Sequence, residues 1–252
     1  MKRKALLFDI DGTFSETEEV HRRAFNETFE AFGLDWHWDQ PLYKKLLEVT
    51  GGKERMRYYI DDWAPPGGAE AIEKIPAMHA DKTDRYTALI DGGAATLRPG
   101  IERIIREAKA AGIPVAIATT TSLPNIEALV KATLGPDGMA LFDAIAGGDS
   151  VKKKKPAPDI YRLALEQLGL GPEDGIAFED SINGLRSATA AGLPSIITPS
   201  VYTDDQDFTG AFSILSDLGE PDRPYTHIAG AGAGEPMVTA EGAIRWLTAR
   251  AA

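Results

Sequence analysis

The chain has 252 residues, 43% of them hydrophobic, enough for one large domain or for a core domain carrying a smaller inserted one. Its 38 acidic residues outnumber 27 basic ones, for a formal net charge of −11. Such a balance repels a nucleic-acid backbone and argues against DNA or RNA as a partner. The absence of cysteine excludes disulfides, thiolate metal sites and a cysteine nucleophile, and it suits a reducing compartment.

In chain order, Met1-Lys2-Arg3-Lys4 leads into the apolar run Ala5–Phe8, too short for a signal segment or a membrane span. A cytoplasmic protein is expected, with no membrane association and no obligate protein partner implied. Comparable apolar runs recur at Pro114–Ala118, Ala144–Ala146, Gly175–Phe178 and Ser195–Ile197, most of them separated by helical patterns. The alternation predicts an α/β fold, a Rossmann-like parallel sheet with helices on both faces. Ligands in such folds sit at the carboxyl ends of the strands, so the polar residues closing the runs are the places to seek chemistry: Asp9, Thr119, Asp149, Glu179 and Thr198.

The alternation is interrupted between Asp11 and about Thr96, where the pattern is helical throughout. Val20, Ala24, Phe25, Phe29 and Phe32 share one apolar face, and Gly33 is placed to stop that helix. Pro65-Pro66-Gly67-Gly68 reads as an inter-helix loop and Asp91-Gly92-Gly93 as a hinge back to the core. The expected organisation is a discontinuous core, residues 1–14 and 96–252, with a helical insertion at 15–95. The lysine run Lys152–Lys155 and the Gly/Ala tract Ala229–Gly234 are of low complexity. A terminal helix is expected over Ala240–Ala249, and the sequence assigns no packing site to the extension after about Leu218.

Phe8-Asp9-Ile10-Asp11-Gly12-Thr13 places two carboxylates on one side of a strand end, because side chains alternate along a strand. One can attack phosphorus while the other protonates the leaving alkoxide and later deprotonates water. On its own, this pair is equally a turn with two solvated aspartates. Val115–Thr121 ends a buried run in three hydroxyls able to donate to phosphate oxygens. Lys155-Pro156-Ala157-Pro158-Asp159 sets one lysine directly before a helix that Pro158 starts, whereas Lys152–Lys154 read as a solvated basic loop. Phe178-Glu179-Asp180-Ser181 ends another run in adjacent carboxylates; one is expected on a metal and the other in support, with Asp180 favoured as the direct ligand. An oxygen-only site completed by water and substrate suits magnesium better than zinc.

Taken together, DIDGT, ATTTS, KKPAPD and FEDS resemble, in order and at strand ends, the four motifs of the haloacid dehalogenase superfamily. The resemblance implies Asp9 as nucleophile, Asp11 as acid/base, Thr119 and Lys155 as phosphoryl-holding residues, and a Mg2+ site of Asp9, Asp11, Glu179 and Asp180. The dehalogenases proper lack the second aspartate, so phosphoryl transfer is implied rather than dehalogenation. It also makes the helical insertion a small cap that closes over substrate and carries specificity. Glu16–Asn26, Thr50–Arg55 and Thr119–Asn125 further resemble the CbbY group, whose members are associated with Calvin-cycle operons and remove xylulose 1,5-bisphosphate, an inhibitor of Rubisco.

A bisphosphate carries a second anion that Gly51, Gly52, Lys53, Glu54 and Arg55 could meet with backbone N–H groups and two cations. The alternative for Lys53 and Arg55 is an exposed helix start paired with Glu54. His79 and Lys82 either join that clamp or lie on a solvated face. Thr119, Thr120, Thr121, Ser122 and Asn125 are expected at the substrate. Glu18 is read in two ways, as a substrate-hydroxyl contact or as the last residue of a capping box at Ser15-Glu16-Thr17-Glu18. Gly51-Gly52-Lys53 is not a P-loop, since Glu54 follows the lysine, and Gly230–Gly234 follows no expected strand and reads as a linker. Trp36 and Trp38 are assigned to packing within the insertion. The rival functions are a broad sugar-phosphate phosphatase, a β-phosphoglucomutase-like mutase, and a non-catalytic sugar-phosphate sensor, the last disfavoured by four intact motifs.

Overall fold

The computed structural model describes residues 4–250. Met1, Lys2 and Arg3, on which the reading of the N-terminus partly rests, lie outside them. The first strand, β1 (Ala5–Phe8), is four apolar residues buried on both faces. Leu6 and Phe8 point into one hydrophobic cluster, Ala5 and Leu7 into another. That two-sided burial is what a central strand covered by helices on both faces requires. The sheet is completed by β2 (Val115–Ala118), β3 (Ala144–Ala146), β4 (Gly175–Glu179), β5 (Ser195–Ile197), β6 (Ser213–Leu215) and β7 (His227–Gly230). Its order is β3-β2-β1-β4-β5-β6-β7, parallel except that β7 pairs antiparallel to β6. The five expected strands are therefore present, and β6 and β7 are additions.

Between β1 and β2 run α1 (Glu18–Ala31), α2 (Gln40–Leu46), α3 (Gly52–Trp63), α4 (Gly68–Ala71), α5 (Ile75–Asp91) and α6 (Ile101–Ala110). The first five bury a cluster of their own, built on Phe25, Phe29, Trp36, Trp38, Tyr43 and Tyr59. Trp36 and Trp38 are buried in it, as expected. The predicted capping box at the start of α1 does not form. Thr17 is the N-cap but makes no side-chain cap bond, because its Oγ1 donates to Asp11 Oδ1 at 2.6 Å instead.

The remaining helices are α7 (Leu123–Leu134), α8 (Asp159–Leu168), α9 (Ile182–Ala190) and α10 (Ala240–Arg250). The extension after Leu218 belongs to the core: Tyr225, Val238, Trp246 and Leu247 pack in the same cluster as Leu6 and Phe8. The Gly/Ala tract expected as a linker is partly strand, since Ala229 and Gly230 pair with Ile214 and Ser213. Small residues obscured the strand signal there, and the pairing is set by β6 rather than by local propensity. Among the described residues no helix is long and apolar enough to cross a membrane.

Candidate active site

The carboxyl ends of β1, β2 and β4 open into a cavity of about 360 Å³. Asp9 follows β1 and Lys155 precedes α8, 146 positions later, yet Lys155 Nζ lies 2.6 Å from Asp9 Oδ1. The same ammonium donates to Glu179 Oε1 at 2.6 Å, and Tyr161 OH donates to that oxygen at 2.6 Å. Burial opposes the charge on Lys155, but Asp9 and Glu179 outweigh it and hold the ammonium protonated, above the ordinary lysine range.

Asp9, Glu179 and Asp180 are all buried and offer oxygen atoms within 4.8 Å of one another. Two of these carboxylates, Asp9 and Glu179, share one ammonium, and Asp180 has none. Burial raises the Asp180 carboxyl well above the usual range, with Asp9 and Glu179 adding repulsion, and burial likewise lifts Glu179 to about 7. Glu179 Oε2 is buried without a hydrogen-bond partner. This excess of hard oxygen donors fits a divalent cation, which would offset the repulsion and occupy the orphaned oxygen's surroundings. Asp180 lines the cavity whereas Glu179 does not and is bonded to Lys155 and Tyr161. Asp11, expected among the ligands, is not part of this cluster, because its carboxylate is engaged elsewhere.

Gly12 explains how the acidic groups come so close. Its φ is 82°, and a Cβ there would collide with the Asp180 carboxylate, so the turn after Asp11 demands glycine twice over. Asp11 Oδ1 accepts from Thr17 Oγ1 at 2.6 Å and lies 3.0 Å from His21 Nε2. His21 Nδ1 in turn lies 2.5 Å from Lys82 Nζ. The chain is complete with a neutral imidazole that donates through Nε2 and accepts through Nδ1. Burial lowers the His21 pKa, and Lys82 lowers it further. Burial also brings Lys82 down to about 7. Burial alone would raise Asp11, but His21, Thr17 and Lys82 together pull it below the usual carboxylate range. His21 is a residue that motif reading missed; its only sequence clue is its position three after Glu18 on the same helical face.

The rest of the wall comes from the inserted helices and from α7. Arg55 is buried, donating to Tyr43 OH at 2.9 Å and Leu46 O at 3.3 Å, and Tyr43 OH donates to Glu18 Oε2 at 2.8 Å. Glu18, Gly51, Gly52, Arg55, His79 and Lys82 all line the cavity. So do Thr119, Thr120, Thr121, Ser122 and Asn125, with the N-termini of α3 and α7 opening into it. Lys82 is buried, with Nζ 5.0 Å from the Phe25 ring and 4.9 Å from the Tyr86 ring, which removes the solvated-face reading.

Lys53 and Glu54 do not line the cavity; both are exposed, since α3 turns Arg55 inward and these two outward. Glu54 instead pairs with Lys154 at 3.0 Å, so Lys154 is not the solvated residue expected of the lysine run, although Lys152 and Lys153 are exposed. Asp149 is exposed and outside the cavity, because the chain after β3 enters a helical turn at Gly148–Ser150. Asn183 and Arg186 from α9, and Ser200, Tyr202, Thr203 and Gln206 from the loop after β5, line the cavity and carried no motif that could have found them.

The haloacid dehalogenase-like hydrolase family model matches residues 3–192. The chain is 52% identical over 217 residues to Protein CbbY of Cereibacter sphaeroides, covering 86% of this chain and 93% of that one. The crystal structure of CbbY from Rhodobacter sphaeroides in complex with phosphate superposes with a TM-score of 0.80 at 50% identity, covering 85% of this chain and 94% of that one. A mutant of that protein, in complex with xylulose-(1,5)bisphosphate, superposes with a TM-score of 0.79 at 50% identity and the same coverage. With the motif residues gathered around one cavity and half of the sequence shared over nearly the whole of these relatives, the chain belongs to the haloacid dehalogenase-like hydrolases and, within them, to the CbbY group of phosphatases.

Proposed function

We propose that the protein hydrolyses a sugar bisphosphate, xylulose 1,5-bisphosphate first among them, with Mg2+ as cofactor and a phosphoryl group carried transiently on Asp9. The observation that carries the reading is that one cavity is lined by two groups of polar and charged side chains. The first is Asp9, Lys155 and Asp180; the second is Arg55, His79 and Lys82 beside the N-terminus of α3. A ligand with a phosphate at each end suits such a cavity, and the CbbY structure bound to xylulose-(1,5)bisphosphate supports the choice of sugar.

In this reading Asp9, Glu179 and Asp180 would hold magnesium, which would supply positive charge to offset that of the phosphoryl group. Lys155 holds Asp9 in position and neutralises the incoming phosphate, with Thr119 donating to its oxygens. Asp9 attacks phosphorus as the bond to the sugar oxygen breaks, and Asp11 gives that oxygen a proton that it must first acquire when substrate binds, since in the substrate-free site it is held as the carboxylate by Thr17 and His21. Water then attacks the aspartyl phosphate, Asp11 takes back the proton, and phosphate leaves. The deprotonated Asp11 held by His21 is the form that accepts the proton in this second half. Residues 15–95 act as the cap, closed onto the core by Lys154 with Glu54, by Lys44 with Asp204 and Asp205, and by Asn183 with Glu48 O and Thr50. Glu18 reads the sugar hydroxyls from the cap side.

Phosphate release with magnesium is to be measured side by side on xylulose 1,5-bisphosphate, ribulose 1,5-bisphosphate, xylulose 5-phosphate and glucose 1-phosphate. The expected result is at least about a hundredfold preference in kcat/KM for the first, the worth of roughly 3 kcal/mol of distal-phosphate contact. Comparable rates on all four would mark a broad phosphatase. Turnover only with an added phosphorylated activator would mark a mutase.

A further inference from the structure

Arg98 lies where the chain returns from the inserted helices to the core, three residues before α6 begins. Its side chain is 9% exposed, and its guanidinium donates to main-chain carbonyls of separate segments: Gly12, Thr198 at 2.7 Å, Pro199 at 2.9 Å and Ser216 at 3.0 Å. Glu16 Oε1 is 3.4 Å from its Nε. Arg98 does not line the catalytic cavity.

Two of the clamped segments are the two backbone walls of Asp180. On one side is the Gly12 turn, packed so tightly that a Cβ would strike the Asp180 carboxylate. On the other is the loop after β5, where Thr203 Oγ1 donates to Asp180 O at 2.7 Å and accepts from Ser200 N at 2.9 Å. Gly12 also follows the acid/base Asp11 directly. A planar guanidinium presents its donors in a fixed fork and can tie several carbonyls at once, whereas an ammonium of similar reach cannot hold that geometry.

We infer that Arg98 is a positioning residue for Asp180 and Asp11: by tying the Gly12 turn to the loop after β5, it sets the width of the slot in which the metal-binding carboxylate stands. The inference rests on reading Asp9, Glu179 and Asp180 as the magnesium site. Displacements of the order of an ångström at such a site cost about a hundredfold in rate.

The test compares the full-length wild type with Arg98→Lys, Arg98→Met and Glu16→Gln. Magnesium binding to the substrate-free protein is read by titration calorimetry, alongside kcat, KM and thermal melting. For both Arg98 variants the magnesium Kd is expected to rise about tenfold or more and kcat at saturating magnesium to fall by a similar factor, with KM within about threefold of wild type. Lysine should rescue little, because the fork rather than the charge is used. Glu16→Gln, at a half-exposed position, folds irrespective of the clamp and should raise Kd about two- to threefold by loosening one side of it. A magnesium Kd and a kcat per folded molecule equal to wild type in every variant that folds would overturn the inference, even if melting temperatures fell. A wild type that binds no magnesium would instead sink the reading beneath it.

Discussion

At the scale of single residues, the site is a problem of charge placed where water is scarce. Asp9, Glu179 and Asp180 repel one another, and Lys155 is the cation that pairs with the first two. In the proposed mechanism, Asp9→Asn keeps the shape but removes the nucleophile and weakens a metal ligand. Turnover is expected to fall roughly 10³-fold or more while the circular dichroism spectrum is retained, and near-normal phosphate release would exclude Asp9 as nucleophile. His79 offers a pH test independent of chemistry. Burial, with Lys82, Lys53 and Lys154 nearby, pulls it from 6.5 to about 4. Between those values the unfolded chain binds a proton that the folded chain does not, so stability is lost as pH falls through that window and is unaffected above it. Melting temperatures of wild type and His79→Asn, taken from pH 7.5 to 4.5, should converge or cross as wild type loses more; parallel curves would show that His79 titrates normally. Of these residues, Asp9, Asp11, Lys155 and Asp180 were legible because each ends a strand or precedes a helix in a recognisable run of sequence. His21 and Arg98 were not, because their partners are backbone and side-chain atoms brought in from other segments.

At the scale of elements, the inserted helices meet the core through apolar packing, with Val20, Ala24, Tyr86 and Ile90 in the main core cluster, and through polar contacts at the cavity rim. The Lys154–Glu54 pair links the loop after β3 to the start of α3, beside Gly51, whose φ of 103° turns the chain into the helix. One member is well covered, with 17% of its side chain exposed, and the other is 47% exposed, so the pair is worth no more than about 1 kcal/mol and is screened by salt. Lys154→Ala is therefore expected to raise KM about two- to fivefold with kcat little changed. Raising sodium chloride from 0.05 to 0.5 M, roughly a threefold shortening of the Debye length, should raise the wild-type KM more than that of the variant. An identical salt response in both would show that the pair does not help close the cap. The pattern of α1 was readable from its apolar spacing and Gly33, and the end of α5 from Asp91-Gly92-Gly93. Which charged residues cross to the core was not, since a lysine run looks the same whether it is solvated or paired.

At the scale of the whole molecule, the sheet extends past the family's matched region through β5, β6 and β7, and α10 packs back against α6 and β4. Trp246 is 8% exposed, packs in the main core cluster and donates through Nε1 to Glu235 Oε1 at 3.0 Å. Trp246→Ala should cost about 3 kcal/mol or more in urea unfolding, in line with large-to-small changes in cores, while leaving kcat in the absence of denaturant unchanged. A loss below about 1 kcal/mol would show that α10 is an appendage rather than part of the core.

By itself the sequence determined the α/β class, the five central strands, the helical insertion and the order of four catalytic motifs. Those depend on local periodicity and on residue types at strand ends, which are written along the chain. Only the tertiary structure decided that Asp11 is tied to His21 and Lys82, that Lys53 faces solvent while Arg55 faces the cavity, that Lys154 is paired, and that the Gly/Ala tract ends an edge strand. Each of these turns on a contact between segments far apart in sequence, or on a rotation of about 100° per residue around a helix whose starting point the sequence leaves open.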